Sequence, residues 1–144
     1  TEERTAEERA RWLAGHDKHH PVLVAVDPET DQVAGWISAD YYRSRWCYRG
    51  VAEFSVYVHE DYRGRGVGAA LMKAFIPACE QAGLWKLLSR IFPENKASRA
   101  LCARFGFREV GIYEKHAQLD GVWKDVVIVE RLLPGTIANP PVNW

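Results

Sequence analysis

No stretch of this chain approaches the roughly 20 consecutive apolar residues that a helix needs to cross a bilayer. The opening residues, Thr1 to Arg11, are charged and lack the apolar core of a secretion signal. Cysteine is scarce: Cys47, Cys79 and Cys102 are spread out, odd in number and without CxxC spacing. A disulfide framework or zinc ribbon is therefore not expected, and reduced thiols in a cytoplasmic protein are the simpler reading. Histidines, including the adjacent His19-His20, come with neither HExxH nor a carboxylate cluster, so no metal site is expected. Excess charge of either sign is also missing, since 19 basic and 19 acidic residues give a formal net charge of +0. That balance offers nothing to a nucleic acid or an anionic membrane. Internal repeats and low-complexity segments are absent.

What remains is ordinary globular material: 144 residues, 47% hydrophobic and 26% charged. This suits one domain with one core, expected over 1–133, followed by an irregular tail over 134–144 that contains Pro140-Pro141. Thr5 to Ala14 reads as a short helix with a Thr cap, Glu7-Glu8 in its first turn and Gly15 as its stop. Pro21 to Val26 and Val33 to Asp40 read as a hairpin around an Asp27–Asp31 turn. An aromatic, arginine-rich loop follows from Tyr41 to Gly50, and then a β-branched and aromatic strand from Val51 to His59. A helix is expected from Val67 to Ala82, kinked or cut by Pro77 and closed by Gly83. A strand from Leu84 to Phe92, a helix from Ala97 to Phe105, and strands Phe107 to Lys115 and Val122 to Leu132 complete the order. Strands outnumber helices and βαβ units occur only in the second half. The fold class is therefore α/β (or α+β) with a mixed central sheet flanked by helices.

One segment carries chemistry. Arg63-Gly64-Arg65-Gly66-Val67-Gly68 joins a strand to a helix. Glycines there let successive backbone N–H groups curl around an anion, the helix N-terminus adds partial positive charge, and arginines add forked phosphate contacts. No Gly-Lys-Ser/Thr follows, so it is not a Walker loop, and the spacing is not that of a dinucleotide GxGxxG. Taken alone, it fits a glycine-rich turn with solvated arginines equally well.

Its neighbours decide between these. The loop with Ala69-Ala70-Leu71-Met72, the preceding Tyr57-Val58-His59, and Asn95-Lys96-Ala97-Ser98-Arg99-Ala100-Leu101 through Phe105-Gly106-Phe107 resemble motifs A and B of the GNAT superfamily of N-acetyltransferases. The resemblance runs from about residue 5 to 132. Glu53-Phe54-Ser55-Val56-Tyr57-Val58, Trp36 after Gly35, Arg43-Ser44-Arg45, Tyr48 and Gly121-Val122-Trp123-Lys124-Asp125 resemble its phosphinothricin acetyltransferase branch. Leu84-Trp85-Lys86, Ser89-Arg90-Ile91-Phe92-Pro93-Glu94-Asn95, Phe107-Arg108-Glu109-Val110-Gly111 and Lys115-His116-Ala117-Gln118-Leu119-Asp120-Gly121 are similar to its arsinothricin-resistance relatives. The branch's lysine-centred turn is replaced here by Leu119-Asp120-Gly121. The superfamily fold also opens with a strand and a helix that this chain is expected to lack.

The resemblance implies acetyl-CoA as cosubstrate, no metal, and a small glutamate-like amino acid of phosphinothricin or arsinothricin type as acceptor. It further implies a homodimer and a resistance role. Arg63, Gly64, Arg65, Gly66, Val67 and Gly68 would hold the pyrophosphate, with the backbone of Val56 and Val58 and the side chains of Asn95 and Ser98 on the pantetheine. Asn95 also suits a helix N-cap. Glu53 is the expected general base; if buried in so apolar a strand, its pKa would rise. A solvent-facing glutamate is the plainer alternative. Arg43 and Arg45 would bind substrate anions or stay solvated, Trp36 and Tyr48 would wall the pocket, and His116 would touch substrate, act as a second base, or sit on the surface. Cys102 stands where the family carries a tyrosine acid, and a buried filler is the favoured reading. Acetylation of another small amine or a protein N-terminus, or a non-catalytic acyl-CoA-binding module, are the competing functions.

Overall fold

The computed structural model describes residues 17–142; the helix expected at Thr5–Ala14 lies outside them. Among the described residues the order is β1 (Val22–Val26), β2 (Val33–Tyr41), β3 (Val51–Val58), α1 (Val67–Gln81), β4 (Lys86–Ile91), α2 (Lys96–Arg104), β5 (Arg108–Leu119), β6 (Val122–Leu132) and α3 (Pro134–Ala138). The strands form one mixed sheet in the order β1-β2-β3-β4-β6-β5. Within it β3 and β4 run parallel, joined by the α1 crossover that such a pair requires. The other neighbours are antiparallel. This is the mixed α+β sheet expected from the sequence.

The helices cover one face of the sheet. Leu71, Met72, Phe75 and Cys79 form the buried stripe of α1 and meet Ile37, Ala39, Ala52 and Phe54 from β2 and β3. Phe54 also meets the Phe107 ring at 5.1 Å, which ties the α2 side of the core to the same strand. Burying Phe75 completely is worth about 1.5–3 kcal/mol. Because side chains alternate along a strand, Glu53, Ser55 and Tyr57 take the opposite face of β3. Cross-strand pairing sets Asp40, Ser38 and Trp36 of β2 beside them.

Pro77 does not end α1, which runs unbroken through it to Gln81. The turn beyond Pro77 is held from outside the helix. Gly135 N–H donates to Glu80 Oε2 at 2.8 Å, and the Thr136 hydroxyl donates to the Glu80 carbonyl at 3.1 Å. The same contacts replace the expected irregular chain at Pro134 by the short helix α3, with Pro134 in the first turn, where no N–H is needed.

Strand β5 extends past the expected end at Lys115, because a bulge rather than a stop lies there. The register jumps from Tyr113↔Val126 to Ala117↔Lys124, so Glu114, Lys115 and His116 face Asp125 alone. Lys115 takes φ 49 and donates its N–H to Asp125 Oδ1 at 2.9 Å. At the far end Asp120 and Gly121, both with positive φ, close a two-residue hairpin.

One feature positions the site. Strands β3 and β4 pair only at Val51↔Lys86, Ala52↔Leu87 and Glu53↔Leu88. Beyond Glu53 the two strands part, β3 staying with β2 and β4 with β6. The Ser89 hydroxyl donates to the Phe54 carbonyl at 2.9 Å, at the apex of the opening.

Candidate active site

That Phe54 carbonyl points toward β4, and His59 N–H, five residues along, donates the other way to Ala34 O at 2.8 Å. Backbone groups of alternate residues share an edge, so Val56 and Val58 direct their N–H and C=O into the opening between the strands. They line a cleft of about 640 Å³ whose far wall is Asn95, Ala97, Ser98 and Leu101 from the start of α2. Asn95 caps α2, its Oδ1 accepting from Ser98 N–H at 3.2 Å, and lines the cleft as well.

The glycine-rich loop closes one end of this cleft. Gly64 (φ 77) and Gly66 (φ 79) both hold the left-handed conformation, and a Cβ on either would meet nothing within 4 Å. Backbone conformation, and not crowding, therefore demands glycine at both positions. Gly66 is the N-cap of α1, and no side chain caps the helix. Its first N–H groups have no partner within the helix and form, with the glycine turns, an anion cradle. Tyr62 anchors the loop: its hydroxyl donates to Asp27 Oδ2 at 2.7 Å, with Gln32 Oε1 at 3.2 Å. That bond, with Glu29 N–H on the same carboxylate, holds Asp27 below the usual carboxylate range. Arg63 lines the cleft together with Gly64, Gly66, Val67 and Gly68. Arg65 does not; it lies over the Tyr62 ring at 5.3 Å and lines a separate hollow beside the β1–β2 turn.

At the other end the cleft continues into a hollow of about 230 Å³ that shares Val56, Asn95 and Ser98 with it and reaches Ser89, Arg90 and Cys102. Glu53 is at the last β3–β4 pair, its Oε1 3.1 Å from Arg90 Nη2. Its side chain is 27% exposed, so the carboxylate is not enclosed by the apolar strand that carries it. Asp40 is its direct partner on β2, so two carboxylates lie side by side there, with Arg90 of β4 on the other side of Glu53.

Other expected substrate residues are not gathered in one place. Trp36 stacks on Tyr57 with ring centroids 5.9 Å apart. Arg43, Arg45 and Tyr48 are exposed in the loop after Tyr41, about 17 Å from Trp36 along β2. Arg43 covers the Tyr42 ring at 4.7 Å, and Tyr48 meets that ring edge-on at 6.0 Å. This loop lies beside the Glu53 end of β3, since Tyr41 pairs with Ala52. His116, carried by the β5 bulge, lines a hollow of about 280 Å³ with Arg90, Phe92 and Val126. Arg90, Ser89, Tyr57 and Tyr62 were not singled out from the sequence, although an arginine inside the apolar run of β4 was a visible signal.

The sequence profile of the acetyltransferase (GNAT) family matches residues 1–107. The chain belongs to that family. Within the GNAT acetyltransferases it is 36% identical to a phosphinothricin N-acetyltransferase of Streptomyces coelicolor, over 92% of this chain and 79% of the relative. It is 35% identical to an L-methionine sulfoximine/L-methionine sulfone acetyltransferase of Pseudomonas paraeruginosa, over 92% and 77%. A GNAT superfamily phosphinothricin acetyltransferase of Sinorhizobium meliloti, solved in complex with AcCoA, superposes with a TM-score of 0.82 at 29% identity, covering 96% of this chain and 75% of that one. Among the described residues of this GNAT chain no group of His, Cys, Asp or Glu is arranged to hold a metal ion.

Cys102 is 3% exposed, and its thiol is pushed up to about 11, chiefly by burial and then by the charge of Glu109. A thiol raised in this way is a poorer proton donor to a leaving thiolate than an ordinary cysteine. We therefore expect Cys102→Ala to keep its turnover within about threefold, whereas loss of a true general acid costs roughly 100-fold or more. Steady-state kinetics on the variant would decide, and a drop of the second size would reinstate the thiol as the donor.

Proposed function

We propose that this chain transfers the acetyl group of acetyl-CoA to the α-amine of a small glutamate-like amino acid of the phosphinothricin, methionine sulfoximine or arsinothricin type. The observation that carries this reading is the free edge of β3, which leads from the glycine cradle at one end to Glu53 at the other. The pyrophosphate fits the cradle, and the pantetheine lies along the edge as a strand would, bonded to the backbone of Val56 and Val58. Its thioester then ends near the apex, within reach of an amine held at Glu53. The names of the Streptomyces and Pseudomonas relatives support the class of acceptor.

The step balances simply. The neutral amine attacks the thioester carbonyl, a C–N bond forms, the C–S bond breaks, and the thiolate leaves on coenzyme A. Glu53 takes the proton that the amine sheds. The acceptor's α-amine is mostly ammonium at neutral pH, so a base beside it is needed to take the proton, directly or through a water. Coenzyme A thiol release, followed across a set of amino acids, tests the reading. Phosphinothricin, methionine sulfoximine and arsinothricin should be acetylated far faster than glycine; equal rates would sink the acceptor class, and no release with any amine would leave a binding module.

We further infer a homodimer built on the β5–β6 side. Strand β5 is a sheet edge, and Val110, Ile112, Tyr113, Leu119, Val122 and Trp123 on this ribbon are 47–59% exposed. Such an apolar patch on an open edge is a surface that monomers avoid. Light scattering at micromolar protein should return twice the chain mass, and a Trp123→Glu change should return it to one; a monomeric wild type would refute the inference.

A further inference from the structure

Arg90 has surroundings that the cofactor path does not explain. It borders both the hollow that opens from the cofactor cleft and the one lined by His116. Its Nη2 lies 3.1 Å from Glu53 Oε1, yet the side chain stays 43% exposed. A guanidinium carries five donors in a planar fork, so one carboxylate at one Nη leaves most of that fork for a second. Among the described residues, the strand cations flanking Arg90 on this face are engaged elsewhere: Lys86 and Arg108 each reach Glu130 at 2.6 Å. The remaining titratable neighbours are Asp40, which faces Glu53 across β2, and His116 across the hollow. Arg90 is thus the cation placed where an anionic acceptor would enter.

Geometry then restricts which anion it takes. In an α-amino acid the amine and the carboxylate are two bonds apart. If the amine must reach Glu53, the carboxylate falls beside whatever cation Glu53 already touches. We propose that Arg90 binds the α-carboxylate of the acceptor while holding Glu53, so that a single guanidinium sets the amine next to its base. The inference rests on the acetyltransferase reading above and adds a division of labour. Arg90 reads the backbone of the amino acid, and the exposed Arg43 and Arg45 are left for the anionic side-chain group.

The test uses L-phosphinothricin and L-methionine sulfoximine, each beside its α-carboxamide, with the full chain and its Arg90→Gln and Arg90→Lys variants. Wild type should prefer acid to amide by roughly 10- to 100-fold in kcat/KM, as expected for one charge-assisted hydrogen-bonded contact. Arg90→Gln should abolish that preference by raising KM for the acid, while any fall in kcat from releasing Glu53 is shared equally by acid and amide. Arg90→Lys should recover part of it, since an ammonium keeps the charge and loses the fork. If the Gln variant does not fold, Arg90→Lys carries the test through a roughly 3- to 10-fold rise in KM for the acid alone. A folded Arg90→Gln protein that keeps the preference overturns the inference while the acetyltransferase reading stands. So does a shared fall in kcat with no rise in KM for the acid, because Arg90 would then act on Glu53 only. A wild type that acetylates neither acid overturns the amino-acid reading itself, and this inference with it.

Discussion

Glu53→Gln is expected to lower kcat by roughly 100- to 10,000-fold, the usual contribution of a positioned general base. The change is nearly isosteric and keeps a hydrogen-bond acceptor toward Arg90 at the 3.1 Å contact, so the β3–β4 apex should survive it. KM for acetyl-CoA should hardly move, because the cradle and the free edge of β3 lie beyond Glu53 along the strand. Residual activity should rise steeply with pH, as more of the free amine is neutral in solution. Stopped-time assays of thiol release between pH 6 and 9.5 would show both effects. A variant with wild-type kcat would remove Glu53 from the chemistry and point to Asp40, its neighbour on β2, or to the amine alone.

The second large effect is on cofactor affinity. Replacing both Gly64 and Gly66 by alanine should weaken acetyl-CoA binding by roughly 30- to 700-fold, from about 1–2 kcal/mol of left-handed strain at each position. No atom lies within 4 Å of either new Cβ, so the cost is not a clash. The exposed loop escapes by turning its peptides, and the N–H groups then no longer converge on one anion. The core, built on Phe54, Phe75 and Val127, is remote from this change, and the melting temperature should fall by only a few degrees. Calorimetric titration with acetyl-CoA would measure the loss; an unchanged dissociation constant would mean that the pyrophosphate is held elsewhere.

Sequence and structure agree most closely where conformation is set locally. The glycine loop, the helix it opens, the Asn95 cap and the alternation of Val51–Val58 are written in neighbouring residues, and their positions were legible before any fold was known. Arg90 was not, because its partner Glu53 reaches it only through a parallel pairing separated by the whole of α1. The β5 bulge was invisible for another reason. Lys115 takes a positive φ without being glycine, and an Asp125 side chain from the next strand compensates by accepting its N–H. Pro77 reads as a kink or stop and the chain from Pro134 as irregular, yet both segments are helical and Glu80 bridges them. Arg65 looked equivalent to Arg63 in the motif; the Tyr62 ring on one side of the loop separates them.

The parting of β3 from β4 has a thermodynamic side. A sheet that leaves backbone donors and acceptors open in its middle is incomplete until something extended lies there, and in the function proposed above that something is the cosubstrate. Fold and acetyl-CoA are then linked by mass action: at a hundredfold excess over its dissociation constant, a ligand that binds only the folded chain adds about 2.7 kcal/mol of stability. A cell's acetyl-CoA supply would therefore govern how long such a chain resists unfolding and proteolysis, as well as how fast it works.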